Sequence, residues 1–245
     1  MSAAVRGRPV ESKPRRTAVY IDGYNLYYGR LRHTAHKWLD VVSLFEGILR
    51  VQDPAATLDA VKLFSAPALA KFAAHGHESM KAQQSYHRAL SILHPERFSL
   101  VYGSHTFEVD GTTLPVYVAG QPFDRSVKCK VWKLEEKKTD VNLAIAIYRD
   151  VVQGRFEQIV ICSNDSDIEP VLQAVREDFP NVVLGLVTPG APAAEDGSGF
   201  RAISKSLARH VDWARKYILD DELVAAQLPL RVATRKRPIE KPSHW

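Results

Sequence analysis

Cysteine is scarce in this 245-residue chain, which holds Cys129 and Cys162 and no other. Two thiols so placed make neither a disulfide framework nor a metal-ligand pattern. Cys162 lies inside an apolar run and reads as core, and a reducing, cytoplasmic location fits this usage. Long apolar runs are missing as well. None approaches the roughly 20 residues that cross a bilayer, so no membrane partner is expected. The opening stretch MSAAVRGRPVESKPRR has no apolar centre of the secretory kind and reads as a disordered basic arm over 1–15. The Gly/Ala/Pro loop at 189–199 lacks the Gly-x-x-x-x-Gly-Lys-Ser/Thr pattern, which argues against phosphate binding of the P-loop type. Nine histidines are present, yet none shows a two-plus-two ligand spacing. His33, His36, His75, His77, His87 and His94 read as surface residues.

The body of the chain also lacks the positive charge that its overall +5 suggests. Residues 1–16 carry a net +4 and residues 231–245 another +4, which leaves −3 between them. Basic ends of this kind hold a polyanion or simply keep the protein soluble, and both readings stand. Hydrophobic content of 45% against 25% charged residues supports one sizeable core. The expected organisation is a basic arm over 1–15, a domain over 16–228 and a basic tail over 229–245.

What the chain does hold is a regular alternation. RTAVYID (16–22) is a short apolar run closing on an aspartate, TLDAVKLFSAP (57–67) a second strand and RFSLVYGSHT (97–106) a third. FEQIVICS supplies the fourth and NVVLGLVTP the fifth. DVVSLFEGILRV has helical spacing, residues 68–93 form a helix interrupted near Gly76, and KTDVNLAIAIYRDVV (138–152) is another helix. DIEPVLQAVRED follows the fourth strand, with Pro170 tolerated in its first turn. The stretch FRAISKSLARHVDWARKYI leads to a last short helix near 220–226. Asp110-Gly111 between alternating segments signals a hairpin, so 104–131 is expected as a small β-hairpin insertion. Strands alternating with helices predict an α/β fold, a three-layer α/β/α sandwich around a central, mainly parallel sheet.

In such a sheet, ligands collect beyond the carboxyl ends of the strands. Asp22 closes the first strand, Asp165 and Asp167 follow the fourth in SNDSD, and Asp140 opens the helix after KKT. Each has a structural explanation: Asp167 or Asp140 as a helix cap, Asp165 as a turn former, Asp22 in an Asp-Gly turn. Together they are harder to dismiss. Carboxylates within about 5 Å repel, and burying them unpaired costs several kcal/mol. A hard divalent cation removes that cost, and ligation by oxygen alone suits Mg²⁺ or Mn²⁺. Such an ion can lower the pKa of a water and neutralise charge on a phosphate oxygen, as phosphodiester hydrolysis requires. Lys133, Lys137 and Lys138, with Lys128 and Lys130 nearby, could hold phosphates, or the run KCKVWKLEEKKTD could be a solvated face. Trp132 could stack on a base or belong to the core, and the same choice applies to Tyr24, Tyr27 and Tyr28.

AVYIDGYNLYYG, EKKTDVNLAIAIYRD and IVICSNDSDIEPVLQAVRE resemble the three signature blocks of the NYN domain, in its LabA-like branch of the PIN-like nucleases, over roughly residues 16 to 190. The resemblance implies a PIN-like sandwich and Mg²⁺- or Mn²⁺-dependent cleavage of RNA, single-stranded by expectation. It implies metal-site roles for Asp22, Asp140, Asp165 and Asp167, with Asn25 orienting substrate or water and Ser163 as the small polar residue before the acidic pair. Ser204 or Lys205, in the closing segment, would approach the cleft. Two rivals remain: an RNA-binding or regulatory module that keeps metal ligands without turnover, and a metal-dependent phosphatase. The phosphatase is disfavoured because the first strand ends in one Asp followed by Gly-Tyr-Asn. A homo-oligomer is compatible with the sequence.

Overall fold

The computed structural model describes residues 14–193 and 202–245. Most of the arm expected over 1–15, and part of the loop at 189–199, lie outside the described residues. The chain starts with β1 (Arg15–Asp22) and a short helix α1 (Gly23–Leu26) that widens into a π-helical turn over Tyr27–Leu31. Then come α2 (Val41–Gln52), β2 (Ala56–Ser65), α3 (His77–Leu93) and β3 (Phe98–Tyr102). Four short strands follow: β4 (Ser104–Phe107), β5 (Thr112–Pro115), β6 (Lys128–Val131) and β7 (Leu134–Lys137). The second half runs α4 (Thr139–Val152), β8 (Gln158–Cys162), a 3₁₀ turn at Ser166–Ile168, α5 (Glu169–Asp178) and β9 (Val183–Val187). It closes with α6 (Lys205–Ala208), β10 (Trp213–Arg215), α7 (Asp220–Ala225), β11 (Arg231–Val232) and β12 (Ile239–Glu240).

Six strands form one sheet in the order β10-β9-β8-β1-β2-β3, every neighbouring pair parallel. The chain thus builds outward from β1 to β3, returns to the middle at β8, and builds the other way. The two faces are buried by different helices. Val19 and Ile21 of β1 face a cluster with α2 and α3, while Ala18 and Tyr20 face one with α4 and α5. A strand covered on both sides reads as a continuous apolar run, and that is why AVYI carries no charged residue and no alternation of polar with apolar ones. The α/β/α sandwich expected from the sequence is the observed architecture.

Four details differ. Within FRAISKSLARHVDWARKYI lies a sixth strand, β10, parallel to β9. Gly185 makes room for it, since a Cβ there would enter the Trp213 ring. The insertion is a longer arm than 104–131, made of two antiparallel ribbons, β4 with β7 and β5 with β6. Asp110-Gly111 is the bend between β4 and β5, with Gly111 at φ 77°, and the chain reverses further on, between β5 and β6. The stretch 229–245 is no free tail: β11 pairs with β12, Val232 and Ile239 are buried, and Trp245 packs against Trp38 and Tyr86. Its basic residues masked an apolar residue at each of these points. Finally, of the histidines read as surface, one is buried and another is partly buried. His87 is buried, with Nδ1 3.0 Å from the Tyr102 hydroxyl, and His94 Nε2 lies 2.9 Å from Asp40, the N-cap of α2.

Candidate active site

The order in which strands are added reverses between β1 and β8, and in such a sheet the ligand crevice lies beyond their carboxyl ends. Asp22 is the last residue of β1 and is buried. Its Oδ1 accepts from the Asn25 backbone N–H at 2.9 Å and its Oδ2 from the Asn25 side-chain amide at 2.7 Å. The Ser163 hydroxyl, just past β8, donates to the same Oδ2 at 3.0 Å, and in turn accepts from the Asp165 N–H at 3.1 Å. Asp165 caps the 3₁₀ turn through the Asp167 N–H at 3.1 Å. Asp22 caps α1 and Asp165 caps the 3₁₀ turn, whereas the sequence suggests Asp167 and Asp140 for caps. Asn164 ties the next segment in, accepting from the Ser204 N–H at 2.8 Å and donating to the Ala202 carbonyl at 2.9 Å.

Asp140 stands in the first turn of α4, half-buried. Burial raises its carboxyl to about 6, and Asp22, Asp165 and Asp167 push in the same direction. Asp22 is also raised, by burial first and by Asp165 among its neighbours, against the hydrogen bonds that lower it. The four aspartates singled out from the sequence thus act on one another across a single cleft.

A fifth carboxylate was not expected. Glu136 of β7 is raised to about 7 by burial, with the charges of Asp22 and Asp140 adding to the effect and the Thr139 hydroxyl bond opposing it. Its neighbour Glu135 pairs with Lys133 and Lys137 and is held down to about 2 by those bonds. Strand alternation puts consecutive residues on opposite faces, so one glutamate of LEEK faces lysines and the other the cleft. Reading KLEEKK with period two, rather than as a charged run, is the signal that finds it. The same alternation assigns Lys133 and Lys137 to the far face. Lys138 begins α4 from a left-handed backbone, φ 76°.

No described lysine or arginine forms an ion pair with any of the five carboxylates. The donor chemistry, oxygen throughout, fits a hard divalent ion. As they stand, no three metal-ligating side chains among the described residues are grouped closely enough to form a finished cage. Tyr24 borders the cleft, its hydroxyl 2.8 Å from His105 Nε2 on the arm. Trp132, a candidate for the core, is 79% exposed.

The model of the NYN domain matches residues 16–198. The chain belongs to the NYN domain family. That places it in the PIN-like nuclease superfamily. This NYN protein is also similar to 6-hydroxy-3-succinoylpyridine 3-monooxygenase HspA of Pseudomonas putida, 36% identical over 97% of this chain and 78% of that protein. The crystal structure of a protein of unknown function from Vibrio parahaemolyticus aligns with a TM-score of 0.48 and 15% identity, over 89% of this chain and 99% of that one; so distant a likeness carries no argument.

Proposed function

We propose that this NYN domain is a metal-dependent ribonuclease that hydrolyses phosphodiester bonds in single-stranded RNA. The observation that carries the reading is the cluster of carboxylates at the strand-order switch, in which Asp22, Asp140 and Glu136 are raised in pKa by burial and by neighbouring acids, with no basic ion-pair partner among the described residues. Protonation or an added cation relieves the repulsion in such a cluster. Asp22, Asp140, Asp165 and Asp167 would draw in Mg²⁺ or Mn²⁺, and Glu136 joins them here. When bound, the ion supplies an activated water and neutralises charge on a phosphate oxygen. Asn25 and Ser163 fix the Asp22 carboxylate through the bonds described above, so its lone pairs stay aimed at the cleft. Lys138 can reach a phosphate directly, whereas Lys133 and Lys137 must first leave Glu135.

The test is cleavage of labelled single-stranded RNA with Mn²⁺ or Mg²⁺, comparing the protein with Asp22→Asn and Asp165→Asn. Loss of cleavage in both variants supports the reading. Equal behaviour of all three proteins over a range of RNAs rejects it. Tight RNA binding without strand breaks would instead indicate a regulatory module, and turnover of p-nitrophenyl phosphate a phosphatase.

A second reading follows from the relative named for oxygenation of 6-hydroxy-3-succinoylpyridine. Identity of 36% across nearly the whole chain favours it. Consumption of that compound, with O₂ and a two-electron reductant supplied, would establish it.

A further inference from the structure

Beside the acidic cleft, and separate from it, the structure holds a cavity of about 380 Å³. It opens where β1 and β2 end, under the first helical segment and α3. Gly23 and Tyr24, the two residues after Asp22, form its near wall. Its chemistry is the reverse of its neighbour's. Among the described residues its lining contains Arg32 and Lys37 and no acidic side chain, and neither cation forms an ion pair with any described residue. His87, at its inner side, is buried, and burial lowers its pKa to about 4, so it adds no charge near neutral pH. The walls are aromatic: Tyr24, Tyr28, Phe72 and Trp245 all line the space. Arg32 lies over the Tyr28 ring, 5.3 Å from its centroid, so one cation is already placed between a π-face and the opening.

We propose that this cavity binds a small planar aromatic molecule carrying an anionic group, the ring against the aromatic walls and the anion at Arg32 and Lys37. A largely apolar recess of this volume, with a few charged groups, is the common form of a small-molecule site. Surfaces that stack the bases of single-stranded nucleic acid are open platforms along a groove, which this recess is not. Two cations with no acidic partner among the described residues are free to take an anion. Guanidinium stacked on a ring suits an acid whose own ring adds to the stack. The proposal holds whichever reaction the neighbouring carboxylates support, because none of its residues belongs to the acidic cluster.

The test is calorimetric titration of the full chain with three probes: 3-benzoylpropionate, which has ring and carboxylate; butyrophenone, which keeps the ring and lacks the acid; and succinate, which has acid and no ring. The expected result is that 3-benzoylpropionate binds at least about tenfold tighter than either fragment. Arg32→Gln with Lys37→Gln, both at positions outside the core, should remove that advantage, and Tyr28→Ala should weaken the binding of both ring-bearing probes. Asp140→Asn should leave all three affinities unchanged, which separates this site from the acidic one. Failure of 3-benzoylpropionate to bind at millimolar concentration would overturn the proposal, as would binding indifferent to the double variant. Displacement of the bound probe by a short single-stranded RNA with tighter affinity would also overturn it, by assigning the recess to a base.

Discussion

Replacing Asp140 by asparagine should make the metal-free protein more stable. Asp140 is half-buried, and its carboxyl is raised from 3.8 to about 6 by burial and by three like charges. The native pKa lies above the unfolded one, so the ionised group works against folding. That penalty is absent below the unfolded value and grows as pH rises through the window from about 4 to about 6. The full shift corresponds to roughly 3 kcal/mol, and solvent screening around a half-exposed group reduces it to about 1–1.5 kcal/mol. Asp140→Asn at pH 7.5 in EDTA should therefore raise stability by that amount, or Tm by roughly 2–6 °C for a chain of this size. At pH 4 the two proteins should nearly coincide. Added Mg²⁺ or Mn²⁺ should reverse the ranking, because an ion at 100 times its Kd contributes about 2.7 kcal/mol and the variant has lost a ligand. Thermal unfolding followed by circular dichroism at both pH values, with and without ion, gives all of these comparisons. If Asp140→Asn is less stable than the parent in EDTA at pH 7.5, the carboxylates are not held under mutual repulsion, and the case for a cation there fails with it.

Asp150 is buried beneath the sheet, receiving hydrogen bonds from the Tyr20 hydroxyl and Lys62 and an Arg155 bond at 3.0 Å; Asp150→Ala should cost about 3–5 kcal/mol in urea unfolding, since it strands Lys62 without its partner. At Gly23 an added Cβ would meet the Phe64 carbonyl oxygen at 2.7 Å, a backbone atom that cannot swing aside, so Gly23→Ala should lose about 1–3 kcal/mol and lower RNA cleavage by displacing Asp22. Trp132→Ala should change unfolding free energy by less than about 0.5 kcal/mol, measured the same way, because the ring is exposed and supports no core.

The sheet, and the aspartates at or just past the ends of β1 and β8, were legible in the sequence because both signals are local. An apolar run closing on an aspartate says where a buried parallel strand ends, and strand ends are where such a fold gathers chemistry. β10 was not legible: three residues, Trp213 to Arg215, give no periodicity, and their strand state depends on Gly185 across the sheet. Glu136 was hidden inside a charged run whose meaning changes with strand phase. The aromatic and cationic cavity was not legible at all, since Tyr24, Arg32, Phe72 and Trp245 meet only through the tertiary fold. Charge counting set 229–245 apart as a tail, and packing of Val232, Ile239 and Trp245 overrode it.

Two of the five acidic groups do not ride on the central sheet. Glu136 belongs to β7 of the projecting arm, and Asp140 follows it after a left-handed residue, with Thr139 seated where Gly103 lacks a side chain. The far end of that arm carries Tyr117 at 87% and Phe123 at 83% exposure. Two of the five carboxylates thus depend on where the arm and the first turn of α4 are held, at the contact of Thr139 with Gly103, while Asp22 and the Ser163–Asp167 corner are fixed by β1 and the turn after β8.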